Sequence, residues 1–153
     1  MQNLRENKAC SVDDKGRFRL PGSLVNQLGQ EHSKFFVLQE ERVVPCLTLY
    51  PLYAWEERVE KYKKVNTEIP KFRTLVAIAL GGASDVVLDG SGRVQIPRQL
   101  LEKYKLEDKV LVNAYENYIE LWNEEEYPKY RGSEAAYEGF DFEAVSQEAF
   151  ANL

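Results

Sequence analysis

Histidine and cysteine are nearly absent from this chain. Its 153 residues hold one histidine, His32, and two cysteines, Cys10 and Cys46. Nucleophilic and metal chemistry need such side chains in groups. His32 stands alone in the polar stretch Q-E-H-S, a surface setting, and neither cysteine has metal-site spacing or a partner visible in sequence. Both cysteines read as small packing residues, reduced rather than bridged. No Gly-rich phosphate loop follows a strand. These absences predict a protein that is not an enzyme and takes no metal and no cofactor. Long apolar runs are also missing, which excludes a membrane-spanning helix, and the N-terminus lacks the apolar core of a signal peptide. The expected setting is the cytoplasm.

A basic excess is lacking as well. The net charge is −5. Its distribution says more. Residues 116–153 hold two Lys or Arg against ten Asp or Glu, whereas residues 1–115 hold eighteen against fifteen. The first nineteen residues carry Arg5, Lys8, Lys15, Arg17 and Arg19 against three acidic residues. The acidic total argues against strong non-specific nucleic-acid binding. It leaves room for a specific binder whose basic face is multiplied by oligomer symmetry.

What the chain does have is a repeat. Residues 13–21 read D-D-K-G-R-F-R-L-P and residues 89–97 read D-G-S-G-R-V-Q-I-P. Asp13 and Asp89, Gly16 and Gly92, Arg17 and Arg93, and Pro21 and Pro97 correspond. Asp followed three residues later by Gly signals a tight turn, because the Asp carboxylate accepts backbone N–H bonds ahead of it. The alternation after each Gly predicts a half-buried strand, with Phe18 and Leu20, or Val94 and Ile96, facing inward. Each Pro stops the strand and starts a short helix. A turn does not require Arg at its end. Two guanidiniums beside two Asp-anchored turns suggest oriented cations, suited to phosphates and base edges.

Around the repeat, residues 1–12 read as a polar arm that becomes a strand near Ala9–Val12. Strands are expected at 34–38 and 46–50 with a polar turn at Gln39–Arg42, and at 110–112 and 118–122 with a loop between. A helix with Leu52, Trp55, Val59 and Tyr62 at helical spacing follows Pro51. Residues 72–83 predict a second helix, apolar nearly all round and ended by Gly81 and Gly82, buried between the halves or between subunits. Asn123 is a fair N-cap before Glu124, Glu125 and Glu126. Trp55 and Trp122 are taken to occupy matching places. The acidic stretch from Arg131 reads as a loose tail or a marginal helix. The expected division is 1–66, a connecting helix at 67–83, a second half at 84–130 and a tail at 131–153.

These motifs, in this order over about residues 4–130, resemble the MraZ family of bacterial transcription regulators. They are V-D-D-K-G-R-x-x-L-P at 12–21, C-L-T-L-Y-P-L-x-x-W-E at 46–56, G-G-A at 81–83, L-D-G-S-G-R-V-x-I-P at 88–97 and I-E-L-W at 119–122. The stretch R-E-N-K-A-C at 5–10 stands where the family usually has a Gly-Glu-Tyr-like run. The resemblance implies an α+β fold of two tandem swapped-hairpin, AbrB-like β-barrel halves with connecting helices and a pseudo-twofold internal repeat. It also implies ring-like homo-oligomers that bind repeated double-stranded DNA sites upstream of the division and cell-wall gene cluster, usually as repressors, in the cytoplasm and nucleoid. The DNA-binding residues expected are Asp13, Lys15, Gly16, Arg17, Arg19, Asp89, Gly92 and Arg93. The arginines would contact phosphates or guanine edges, Lys15 and Arg19 would add backbone contacts, and the two Asp would orient the arginines. The alternative on the same fold is a protein-binding or antitoxin-type module, to which the acidic tail would suit a basic partner.

Overall fold

Both copies of the repeat fold as the alternation and the prolines dictate. The computed structural model describes residues 3–151 and 153. The first half runs β1 (Glu6–Ser11), β2 (Arg17–Arg19), α1 (Gly22–His32), β3 (Phe35–Glu40), β4 (Leu47–Pro51) and α2 (Leu52–Lys63). Then come α3 (Pro70–Leu80), β5 (Ser84–Val87), β6 (Arg93–Gln95), α4 (Arg98–Lys103), β7 (Lys109–Tyr115) and β8 (Tyr118–Trp122). Two further helices, α5 (Tyr127–Tyr130) and α6 (Phe142–Phe150), complete the order. Pro21, Pro51 and Pro97 each stand immediately before a helix, in extended backbone that a helix cannot continue into.

The fold is α+β, and its strands pair antiparallel. One sheet has the order β1-β7-β8-β4-β3-β5, and a separate ribbon pairs β2 with β6. Each half sends its first strand to the other half. β1 pairs with β7, Ser11 opposite Lys109, and β5 pairs with β3, Val87 opposite Phe35. The N–H of Val12 donates to Asp108 O (2.9 Å) and that of Leu88 to Lys34 O (3.0 Å). The ribbon centres on Phe18 opposite Val94, and the β4–β8 ladder on Thr48 opposite Glu120. These registers are related by an approximate twofold operation that exchanges the halves.

The main core lies where the ribbon meets the sheet. Phe18, Leu20, Leu24, Val94, Ile96 and Leu101 pack there with Phe36, Leu38, Leu47 and Leu49. Burying each such side chain is worth about 1.5–3 kcal/mol. Neither half could assemble this core alone, since the ribbon takes one strand from each.

Several expectations need correction. The first strand starts at Glu6, because β7 offers partners as far as Ala114. Gln39 and Glu40 belong to β3 rather than to a turn. Gln39 is buried, and its amide donates to Ala79 O (3.0 Å) and Gly81 O (2.8 Å), satisfying carbonyls at the end of α3. Arg58 Nη2 adds a third bond, to Ala79 O (3.0 Å). The helix α3 is not buried between the halves. Only Ala79 is buried, while Leu75 and Ile78 remain 46% and 47% exposed. Trp122 matches Tyr50, not Trp55: each lies on the returning strand of its hairpin, opposite Leu111 and Val37 respectively, whereas Trp55 lies on α2. Asn123 Oδ1 accepts the N–H groups of Glu125 (2.9 Å) and Glu126 (3.1 Å), but the three glutamates form a turn and α5 starts only at Tyr127. Of the two readings of the tail, the helical one holds over α6, whose N-cap Asp141 accepts from Ala144 N–H (3.0 Å). No helix among the described residues is long and apolar enough to cross a membrane.

Candidate functional site

The two Asp-x-x-Gly-Arg turns flank the β2–β6 ribbon and have the same internal bonding. Asp13 Oδ1 accepts the N–H groups of Lys15 (3.0 Å) and Arg17 (2.9 Å). Its Oδ2 accepts Arg17 Nε–H (2.9 Å). Asp89 Oδ1 accepts from Ser91 N–H (2.9 Å) and Arg93 N–H (3.0 Å), and its Oδ2 from Arg93 Nε–H (2.9 Å). The N–H of Gly16 donates to Asp13 O, and that of Gly92 to Asp89 O. Both glycines need positive φ, 78° and 75°. Each Asp thus closes the turn with one oxygen and orients an arginine with the other.

The electrostatics follow from these bonds. The Arg17 backbone N–H is the chief influence holding the Asp13 carboxyl below its usual range, with the Arg17 side chain and the Lys15 N–H adding to it. Asp89 is lowered in the same way, chiefly by the Arg93 backbone N–H. Both carboxylates are therefore ionised at neutral pH. The Nε of each arginine is occupied by its Asp.

The ribbon brings the two turns together. Arg17 lies opposite Gln95 and Arg19 opposite Arg93, while Phe18 and Val94 between them are buried. Strand alternation therefore places Arg17, Arg19, Arg93 and Gln95 on one outward face. Arg93 Nη1 lies 3.9 Å from Asp13 Oδ2, so the Asp13 carboxylate stands between both arginines. Gln95 Nε2 donates to Lys15 O, tying one turn to the opposite strand. The N–H of Leu20 reaches Gly92 O (3.1 Å), and that of Ile96 reaches Gly16 O (3.0 Å). All eight candidate residues lie in these turns and strands. Lys15 and Arg19 are exposed, and Arg17 and Arg93 are half-buried at the stem. The arm residue Arg5 is elsewhere: its backbone N–H is bound by Gln27 Oε1 on α1 (2.8 Å).

A second polar group was not anticipated. Glu120 is buried within I-E-L-W. Its Oε1 accepts from Trp122 Nε1–H (2.9 Å) and Asn113 Nδ2–H (3.2 Å). Its Oε2 accepts from Tyr115 OH (3.0 Å) and Arg131 Nη2–H (3.1 Å). Burial works against the Arg131 charge, but the hydrogen bonds and charge of Glu120 outweigh it and raise the Arg131 pKa. This network fastens the start of the acidic tail to the sheet. The only signal in sequence is a carboxylate among Ile119, Leu121 and Trp122.

Among the described residues, no group of three or more His, Cys, Asp or Glu could hold a metal ion. Cys46 is buried, and burial is the main cause pushing its thiol far above the ordinary range. Cys10, half-buried on β1, is raised more modestly, again chiefly by burial.

Comparison with known proteins gives the family. A family model described as "MraZ protein, putative antitoxin-like" matches twice, over residues 4–77 and 79–152. The chain is 36% identical over 121 residues to a protein of Marinomonas sp. (strain MWYL1), covering 79% of this chain and 80% of that one. It is 34% identical over 122 residues to one of Pseudomonas syringae pv. syringae (strain B728a), covering 80% and 81%. A protein of Flavobacterium psychrophilum is 28% identical over 144 residues, covering 94% and 89%. All three are named transcriptional regulator MraZ. With two family matches that together span nearly all of it, the chain belongs to the MraZ family.

Proposed function

We propose that the chain is a sequence-specific DNA-binding regulator, acting as a repressor on repeated promoter sites of the division and cell-wall gene cluster. Membership of a transcriptional-regulator family makes it a regulator and not an enzyme. The observation that carries the DNA reading is the outward ribbon face, where Arg17, Arg19 and Arg93 stand together beside Lys15. Two of these guanidiniums are oriented in advance by carboxylates, which lowers the entropy lost on contact with phosphate or guanine. The exchange of first strands supports a swapped-hairpin, AbrB-like arrangement of the two halves. Exposed Leu75 and Ile78 on α3 support a homo-oligomer that covers them. A ring would set neighbouring subunits on neighbouring repeats, and linkage of sites raises avidity by about 10²–10⁴ where the geometry permits.

The test is fluorescence-anisotropy binding to a duplex from this gene's own upstream region, with a shuffled duplex as control. Wild type should prefer the native duplex. Arg17→Ala and Arg93→Ala should each weaken binding and lower the salt slope by about one unit without changing the oligomer. Equal binding to both duplexes would refute specificity. No binding at low salt by assembled protein would turn the reading to a protein-binding, antitoxin-type module.

A further inference from the structure

We infer that the C-terminal helix α6 of one copy docks on the exposed face of α3 of a second copy. Residues Phe142, Val145, Ala149 and Phe150 fall on one stripe of α6 at helical spacing. The helix buries none of its residues, and Phe142 and Phe150 are 77% and 68% exposed. An amphipathic helix with a proper N-cap and an uncovered stripe is incomplete by itself.

The α3 face is its complement. Lys71, Leu75 and Ile78 lie along one side of that helix, and all are exposed. The charges match as well. On this side α3 presents Lys71, and the helix has no acidic residue. α6 carries Glu143 and Glu148 and no basic residue, with Asp141 at its cap. The whole tail from Arg131 has that one basic residue against five acidic ones. Apolar contact would supply affinity, and Lys71 against the acidic residues of α6 would set orientation. Within the single chain neither surface covers the other, which points to a second copy. The Arg131–Glu120 pair fixes where the strap begins.

The inference rests on the homo-oligomer reading, and the experiment separates the two. In a Cys10→Ser background, full-length protein carrying Ile78→Cys is mixed with protein carrying Phe142→Cys and oxidised. We expect a disulfide-linked pair of copies. The link should be lost with Lys71→Glu and restored when the other copy carries Glu143→Lys/Glu148→Lys. Ending the chain after Gly132, which keeps Arg131, should shift assembly to at least about tenfold higher protein concentration by sedimentation. A link that forms only within one chain carrying both cysteines overturns the proposal, and so does no link at all. If the full-length protein sediments as a monomer, the homo-oligomer reading falls too. If it assembles but never links, only the docking of α6 falls.

Discussion

The two turns offer a controlled comparison, because Gly16 and Gly92 do the same backbone work in different surroundings. Both have φ in the left-handed region, 78° and 75°. An L-residue there costs about 1–2 kcal/mol. A Cβ on Gly92 would meet no atom within 4 Å, so Gly92→Ala should cost about that amount alone. A Cβ on Gly16 would lie 2.5 Å from Leu101 Cδ1 and 3.1 Å from Ile96 O. Leu101 is buried in the core and has little freedom to swing away. The Ile96 carbonyl moves only with backbone whose own N–H donates to Gly16 O. Overpacking of this kind adds about 1–3 kcal/mol. Gly16→Ala should therefore cost about 2–5 kcal/mol in all. Urea denaturation followed by tryptophan fluorescence would measure both variants at one protein concentration, since assembly itself shifts apparent stability. Equal losses, or a larger loss for Gly92→Ala, would refute the reasoning and show that the tightness around Gly16 carries no energy.

The lowered Asp13 and Asp89 carboxyls make stability depend on acid. An unfolded Asp titrates near about 3.9, so the turns contribute fully above that pH. The contribution is lost as pH falls through the lower folded values, and Asp13→Asn/Asp89→Asn should flatten the acid limb of a stability–pH curve. An unchanged acid limb would show that the two carboxylates do not control it. Arg131→Ala strands the buried Glu120 carboxylate. Breaking a buried pair costs about 3–5 kcal/mol, and the partial exposure of Arg131 reduces the expected loss to about 1–3 kcal/mol. Adding Glu120→Gln should recover part of it in thermal denaturation, because no charge is then left unpaired; a double variant no better than the single would count against the network.

What the sequence made legible was local and repeated. The Asp, Gly and Arg of each turn, the alternation that buries Phe18 and Val94, and the prolines that start helices are all short-range instructions. The structure follows them, down to the two oxygens of each Asp. Pairing partners were not legible. Nothing in the stretch E-N-K-A-C-S says that β1 will add to β7 of the other half, since an edge ladder is built from backbone groups that every residue carries. The same blindness affected Gln39, whose polar side chain read as a turn until Ala79 and Gly81 supplied carbonyls from 40 and 42 residues away. It affected Glu120 in the same way, because its partner Arg131 lies beyond the strand in an acidic tail. The helix α3 shows the converse. Its apolar pattern predicted a buried helix, yet Leu75 and Ile78 are exposed, because periodicity states only which side is apolar and not what packs against it. Local pattern therefore anticipated the geometry of the two turns, because each arginine is held by an Asp four residues before it. It was a poor guide wherever the holding group lies far along the sequence, as at Gln39 and Glu120.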